Sequence, residues 1–188
     1  MKRIIALSGR AGSGKNTVAR LLGGQEISFA EPLKRFCQEV FAFTDEQMWG
    51  PSERRNAPDE RYQQGIGPLA QPLYLTPRYA LQTLGTDWGR SCYENVWAEL
   101  GVRRALQSPA PLVVITDCRF VNEALAVTAA GGEVWRIIRP GAGLGGSAGL
   151  HPSEAEQESP EFLELVTQTI YNGGTLADLK AQVSTTPR

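Results

Sequence analysis

The chain has little that would hold a metal cluster or a disulfide framework: one histidine and three cysteines in 188 residues. Cys37, Cys92 and Cys118 are widely spaced and form no Cys-x-x-Cys pair, so reduced thiols are expected rather than a zinc site or disulfides. An excess of one charge is missing too. The formal net charge is -1, which gives no basic field of the kind that a nucleic-acid polymer would require. No apolar stretch approaches the ~20 residues of a membrane-spanning helix. The Met1-Lys2-Arg3-Ile4 start is too short for a signal peptide and leads straight toward a glycine-rich loop, so a cytoplasmic protein is expected, with no membrane partner. No Pro- or Ser-rich linker divides the chain, and its length suits one substantial core, which predicts a single domain.

Glycine is abundant in one telling place. Gly9-Arg10-Ala11-Gly12-Ser13-Gly14-Lys15-Asn16-Thr17 lies between the apolar run Arg3–Leu7, read as a buried strand, and Thr17–Leu22, read as a helix. Glycines at 9, 12 and 14 permit backbone conformations closed to other residues, so that successive N–H groups converge on phosphate oxygens at a helix N-terminus. Lys15 adds a positive charge toward the β- and γ-phosphates. The position that ordinarily offers a magnesium-binding hydroxyl is Asn16, followed by Thr17, and the sequence leaves open which of the two touches the ion.

Further along, Glu26–Phe29 reads as a strand and Pro32–Phe43 as an amphipathic helix with Leu33, Phe36, Val40 and Phe43 on one side. Residues 44–76 are rich in charge, Pro and Gly and predict a loop-dominated cap with short helical pieces. Thr76-Pro77 reads as an N-cap and first helical position, opening a helix to about Trp88. Another helix is expected over Glu94–Leu106. The continuous apolar run Leu112–Ile115, closing on Thr116-Asp117, predicts a strand buried on both faces that ends in a carboxylate beside the glycine-rich loop, where it would hold magnesium directly or through water. A helix over Phe120–Ala130, a strand over Glu133–Arg139, a mobile glycine-rich loop, a helix over Glu154–Leu165, a strand over Val166–Tyr171 and a helix over Thr175–Val183 complete the reading. Alternating strands and helices give an α/β class with a parallel sheet of about five strands and helices on both sides.

The phosphate loop by itself does not choose among nucleotide chemistries. An Asn-Lys-x-Asp element for guanine is absent, and the chain is short for a ring-forming motor, so a small-molecule kinase fits best. Arg78, Gln82, Gly85 or Thr86, and Arg90 recur at helical spacing on a polar stripe, opposite Leu81, Leu84 and Trp88. Two arginines there suit a monophosphate, and Gly85 suits close approach of a ligand; a solvated helix face is the competing reading. Arg119, near a helix N-terminus, calls for a phosphate or a carboxylate to compensate it, and Glu123 lies four residues on as its partner or as a ligand to the acceptor nucleoside.

Together, the loop Gly9–Thr17, Phe29-Ala30-Glu31-Pro32-Leu33-Lys34, Leu81–Arg90, Thr116–Glu123 and His151-Pro152-Ser153-Glu154 resemble the phage-type deoxynucleoside monophosphate kinases over nearly the whole chain. The resemblance implies a three-layer P-loop kinase fold with a core at about 1–30 and 107–188, an acceptor-binding cap insertion at about 31–106 and a lid at about 140–153. It implies transfer of the ATP γ-phosphoryl group to a deoxynucleoside 5′-monophosphate. Gly12, Ser13, Gly14, Lys15, Asn16 and Thr17 would bind ATP, with Asn16, Thr17 and Asp117 for Mg2+. Arg78, Gln82, Gly85, Thr86, Arg90, Trp97, Asp117, Arg119 and Glu123 would bind the acceptor, Trp97 (or Trp88) stacking on the base unless it is simply buried. Lys15, Arg119 and Asp117 would be the catalytic group. Two departures stand out: the family often has Asp where this chain has Asn16, and the loop after Arg139 has no arginine, leaving Arg136, Arg139, Arg119 or the cap to supply a cation. Another small-molecule kinase, acting on dephospho-coenzyme A or gluconate, and a non-catalytic nucleotide-binding module are the alternatives. A homodimer stays open.

Overall fold

The computed structural model describes residues 2–143 and 155–185. Contacts divide the chain into two compact units, one made of Met1–Phe29 and Trp97–Arg188 and the other of Ala30–Val96.

The first unit is built on five parallel strands: β1 (Arg3–Ser8), β2 (Gln25–Ile27), β5 (Leu112–Ile115), β6 (Glu133–Ile138) and β7 (Gln168–Tyr171), in the spatial order β2-β5-β1-β6-β7. Strand β1 is central, pairing Ala6 with Ile115 on one side and with Val134 on the other. Its side chains alternate between faces. Ile4 and Ala6 join Val113, Ile115, Val127, Val134 and Phe162, while Ile5 and Leu7 join Val18, Val114, Trp135, Ile137 and Leu179. Burial on both faces is why these strands read as continuous apolar runs. The first core is covered by α6 (Val96–Gln107), α7 (Val121–Ala129) and α8 (Pro160–Glu164); the second by α1 (Lys15–Leu22) and α9 (Leu176–Thr185). The result is the expected α/β class, helices on both sides of a parallel sheet. The continuous helix expected over Glu154–Leu165 is broken instead: a 3₁₀ turn at Glu156–Glu158 gives way at Ser159, whose hydroxyl caps α8 with Pro160 at its first position.

The second unit holds α2 (Glu31–Phe41), α3 (Asp45–Trp49), α4 (Ser52–Asn56), a hairpin of β3 (Gln63–Ile66) and β4 (Pro72–Tyr74), α5 (Pro77–Gln82) and a π-helical segment at Thr83–Arg90. Its core is Cys37, Phe43, Met48, Leu75 and Ala80, with Phe41, Tyr62, Leu81 and Leu84 packed against it. Three sequence expectations are corrected here. Helix α2 buries Leu33 and Cys37, whereas Phe36 and Val40 are 47% and 54% exposed. The hairpin lies in the stretch read as cap loop. Thr76 does cap α5, accepting from Tyr79 N–H, but the helix loosens into the π-helical form after Gln82, and Trp88 is 57% exposed rather than inward. No helix among the described residues is long and apolar enough to cross a membrane.

Candidate active site

The loop between β1 and α1 has the backbone its glycines predict. Gly9, Gly12 and Gly14 have φ of 137°, 79° and 102°. A Cβ on Gly9 would lie 2.3 Å from the Ile137 carbonyl oxygen, and one on Gly14 would lie 2.3 Å from Asn172 Nδ2, so both positions exclude side chains sterically as well as conformationally. Helix α1 begins on Gly14 with no side-chain cap, so the positive end of its dipole is turned toward the loop.

The loop's carbonyls are engaged elsewhere. Lys15 Nζ donates to the Gly9 and Arg10 carbonyls, Gly143 N–H donates to Ala11 at 2.9 Å, and Asn172 Nδ2 donates to Ser13 at 2.8 Å. Gly14 O accepts from Thr17 and Val18 within the opening turn. With those oxygens occupied, the loop offers donors to an anion. Ser13 Oγ is buried and has no hydrogen-bond partner among the described residues, an orphan that a phosphate oxygen would satisfy. This cradle fits a polyphosphate. Asn16 is exposed and Thr17 half-buried, both on the first turn of α1.

Parallel pairing of β5 with β1 brings the second sequence cluster beside the loop: Cys118 N–H donates to the Leu7 carbonyl at 3.1 Å. Asp117 Oδ1 accepts from Phe29 N–H at 2.8 Å, which fixes the carboxylate. For magnesium, which takes oxygen ligands and keeps several waters, the Thr17 hydroxyl and the Asp117 carboxylate are donors of the right kind. No cluster of three His, Cys, Asp or Glu exists among the described residues, so a metal here would share its ligation with water and phosphate.

Glu123 meets Arg119 through the backbone. It is buried, and Oε2 accepts from the Arg119 and Phe120 backbone N–H groups at 2.8 and 3.1 Å. Glu156 Oε1 accepts from Val121 N–H at 2.8 Å. Two carboxylates thus cap the N-terminus of α7 and offset the placement of Arg119 beside a positive helix end. Burial together with Glu123 and Asp117 pushes the Cys118 thiol well above its ordinary range, which keeps it protonated and inert. Arg136 is paired with Glu158, which also meets Arg10 Nε at 3.2 Å.

Of the remaining expected site residues, Trp97 is half-buried on α6 in the first unit. Arg78, Gln82, Gly85, Thr86 and Arg90 belong to the second unit. Gln82, Thr86 and Arg90 are half-buried; Arg78 Nε hydrogen-bonds Asn56 Oδ1. Gly85 is buried, and a Cβ there would come within 3.0 Å of Leu33 Cδ1, the end of a flexible side chain on α2. The lid expected at about 140–153 and the His151-Pro152-Ser153-Glu154 motif fall outside the described residues, apart from 140–143. Two residues that sequence reasoning missed touch the loop directly: Asn172, and Gln157, whose Oε1 accepts from Gly9 N–H at 3.1 Å. Neutral amides in turns carry no sequence signal for such a role.

No protein-family model matches the chain. The Thermus thermophilus protein TT1252, in its crystal structure, shares the fold with a TM-score of 0.51 at 21% identity, over 99% of each chain. The deoxynucleoside-5′-monophosphate kinase of Escherichia phage T5 is 26% identical over 65% of this chain and 70% of its own. A protein of Acanthamoeba polyphaga mimivirus that carries the provisional name deoxynucleotide monophosphate kinase is 34% identical over 96% of this chain and 93% of its own. With that extent of similarity laid over a glycine-lined anion cradle, the chain belongs to the phage-type deoxynucleoside monophosphate kinases.

Proposed function

We infer that the chain moves the γ-phosphoryl group of ATP onto a deoxynucleoside 5′-monophosphate, releasing ADP and the diphosphate for DNA precursor synthesis. A bond forms between an acceptor phosphate oxygen and the γ-phosphorus as the bond to the β,γ-bridging oxygen breaks. The observation that carries this reading is the cradle: positive-φ glycines, occupied loop carbonyls and the buried Ser13 hydroxyl, without a hydrogen-bond partner among the described residues, at the uncapped start of α1.

Phosphoryl transfer asks a protein for alignment and for cations where charge grows. Lys15 exchanges its loop carbonyls for the β- and γ-phosphate oxygens and draws charge from the bridge. Gly12, Ser13 and Gly14 supply the loop donors, with Asn16 and Thr17 on the turn that follows. Thr17 and Asp117 would hold a magnesium ion, which supplies charge neutralisation on the phosphates when bound; the exposure of Asn16 argues for Thr17 over Asn16 as its partner. Arg119 offsets charge on the transferring group, and Glu123 acts on it indirectly by fixing the backbone of residues 119 and 120. Arg78 and Arg90 are the acceptor-phosphate cations, with Gln82 and Thr86 as polar contacts, and Trp97 is the candidate to stack on the base. No general base is required, because the acceptor phosphate is already an anion at neutral pH. The substrates are small nucleotides rather than polymers, and the compartment is the cytoplasm.

The test is a product assay with ATP, magnesium and every deoxy- and ribonucleoside monophosphate, with dephospho-coenzyme A and gluconate alongside. Conversion of at least one deoxynucleoside monophosphate to its diphosphate is expected. Turnover confined to dephospho-coenzyme A or gluconate would overturn the reading, as would ATP binding with every acceptor inert.

A further inference from the structure

We propose that Gln157 and Asn172 are positioning residues that hold the phosphate loop in its binding shape from its two ends, one by accepting and the other by donating. The inference rests on the reading that this loop carries the ATP phosphates.

A phosphate-binding loop must turn its N–H groups toward the anion and its carbonyls away, and an unrestrained glycine-rich segment has no intrinsic preference for that arrangement. Here each end is fixed by an amide from the last third of the chain. At the entry, Gln157 Oε1 accepts from Gly9 N–H at 3.1 Å and from Ser8 Oγ at 3.4 Å. Gln157 is 1% exposed, so loss of that oxygen strands a buried N–H. At the exit, Asn172 Nδ2 donates to the Ser13 carbonyl at 2.8 Å and sits where a Gly14 side chain would go. That contact holds the backbone of Ser13, whose buried hydroxyl has no hydrogen-bond partner among the described residues.

Both amides are rigidly mounted. Asn172 follows β7 directly, and its own N–H donates to Ile138 O at 2.7 Å. Gln157 lies in the middle of the 3₁₀ turn, flanked by Glu156 on the Val121 N–H and by Glu158 on Arg136 and Arg10. Three consecutive side chains thereby tie α7, the loop entry and β6 to one short turn. Both amides are neutral and bond to the loop backbone, so they act as positioning groups.

The experiment measures ATP and ADP binding by calorimetry, with kcat and both KM values, for wild type, Gln157→Met and Asn172→Leu. Each variant is expected to weaken ATP and ADP alike by about tenfold, the factor that matches one lost hydrogen bond of ordinary strength, with the acceptor KM unchanged within twofold. Gln157→Glu keeps an accepting oxygen and guards against a Met variant that fails to fold; it is expected to retain the protection of the Gly9 amide against hydrogen exchange, which Gln157→Met loses. Folded Gln157→Met and Asn172→Leu proteins with ATP affinity and kcat within twofold of wild type would overturn the proposal, as would a fall in thermal midpoint as the sole change. Weakened ATP binding in a protein that phosphorylates no deoxynucleoside monophosphate would refute the kinase reading and leave the positioning role standing. A wild type that binds no ATP refutes both.

Discussion

The two units reach order by different means. In the sheet unit, backbone pairing positions the loop: β1 lies between β5 and β6, and the loop it feeds lies against the Ile137 carbonyl, with the Asn172 amide at its far end. In the second unit the short helices and hairpin depend on side chains, with the Asp59–Arg61 pair, the Phe41, Phe43 and Tyr62 rings, and Lys34 over Trp49. A Cβ added at Gly9 meets a strand carbonyl that cannot move aside, whereas a contact with a side-chain end can give. The first kind of order suits a fixed phosphate cradle.

The largest effect should come from the lysine of the sheet unit's loop. Lys15→Ala is expected to lower turnover by roughly 10²–10³-fold while the circular dichroism spectrum is unchanged, since removal of one preorganised electrostatic group costs that much. Next come two glycines that sharpen the comparison. Gly9→Ala puts a Cβ against a strand carbonyl at φ 137° and is expected to cost about 2 kcal/mol or more in urea unfolding, together with ATP binding. Gly85→Ala meets only the end of the Leu33 side chain, so helix propensity offsets the shift and stability should change by less than about 1 kcal/mol. Equal costs at the two sites would break the distinction.

A smaller effect is tied to pH. The Arg61 guanidinium, with Gln47, holds the buried Asp59 carboxyl well below the usual carboxylate range. A pKa depressed by folding contributes stability that is fully present above the unfolded value of about 3.9 and is lost as pH falls toward the folded value. Tryptophan fluorescence and proteolysis should therefore find the second unit weakening below about pH 4, and Asp59→Asn should remove that pH dependence. The gentlest test is chemical. Burial pushes the Cys37 thiol up to about 11, and Cys118 is fully buried, while Cys92 is exposed. A maleimide at pH 7 should label Cys92 alone in the folded protein; labelling of Cys37 would mean that the second unit's core opens readily.

The same contrast governs what could be read in advance. Runs such as Ile4–Leu7 and Leu112–Ile115 declare themselves because both faces of a central parallel strand are apolar, and the loop between β1 and α1 declares itself because its glycines are needed for backbone geometry. Helix α2 misled because its buried stripe runs Leu33, Cys37 and Phe41, using a cysteine as a small apolar residue, while the more hydrophobic Phe36 and Val40 are exposed. The hairpin was illegible because Gln63–Ile66 is mostly polar and lacks alternation. Gln157 and Asn172 act on residues 148 and 159 positions away, a separation that no local pattern encodes.

The central claim of the proposed function is a division of labour in which the sheet unit would grip ATP and arginines of the second unit would grip the acceptor. Calorimetric titration of ATP and of a turned-over deoxynucleoside monophosphate into Lys15→Ala and Arg90→Ala tests it directly. The account predicts that Lys15→Ala loses ATP affinity with the acceptor still bound, and that Arg90→Ala does the reverse. Loss of both ligands in both proteins, or an acceptor indifferent to Arg90, would contradict it.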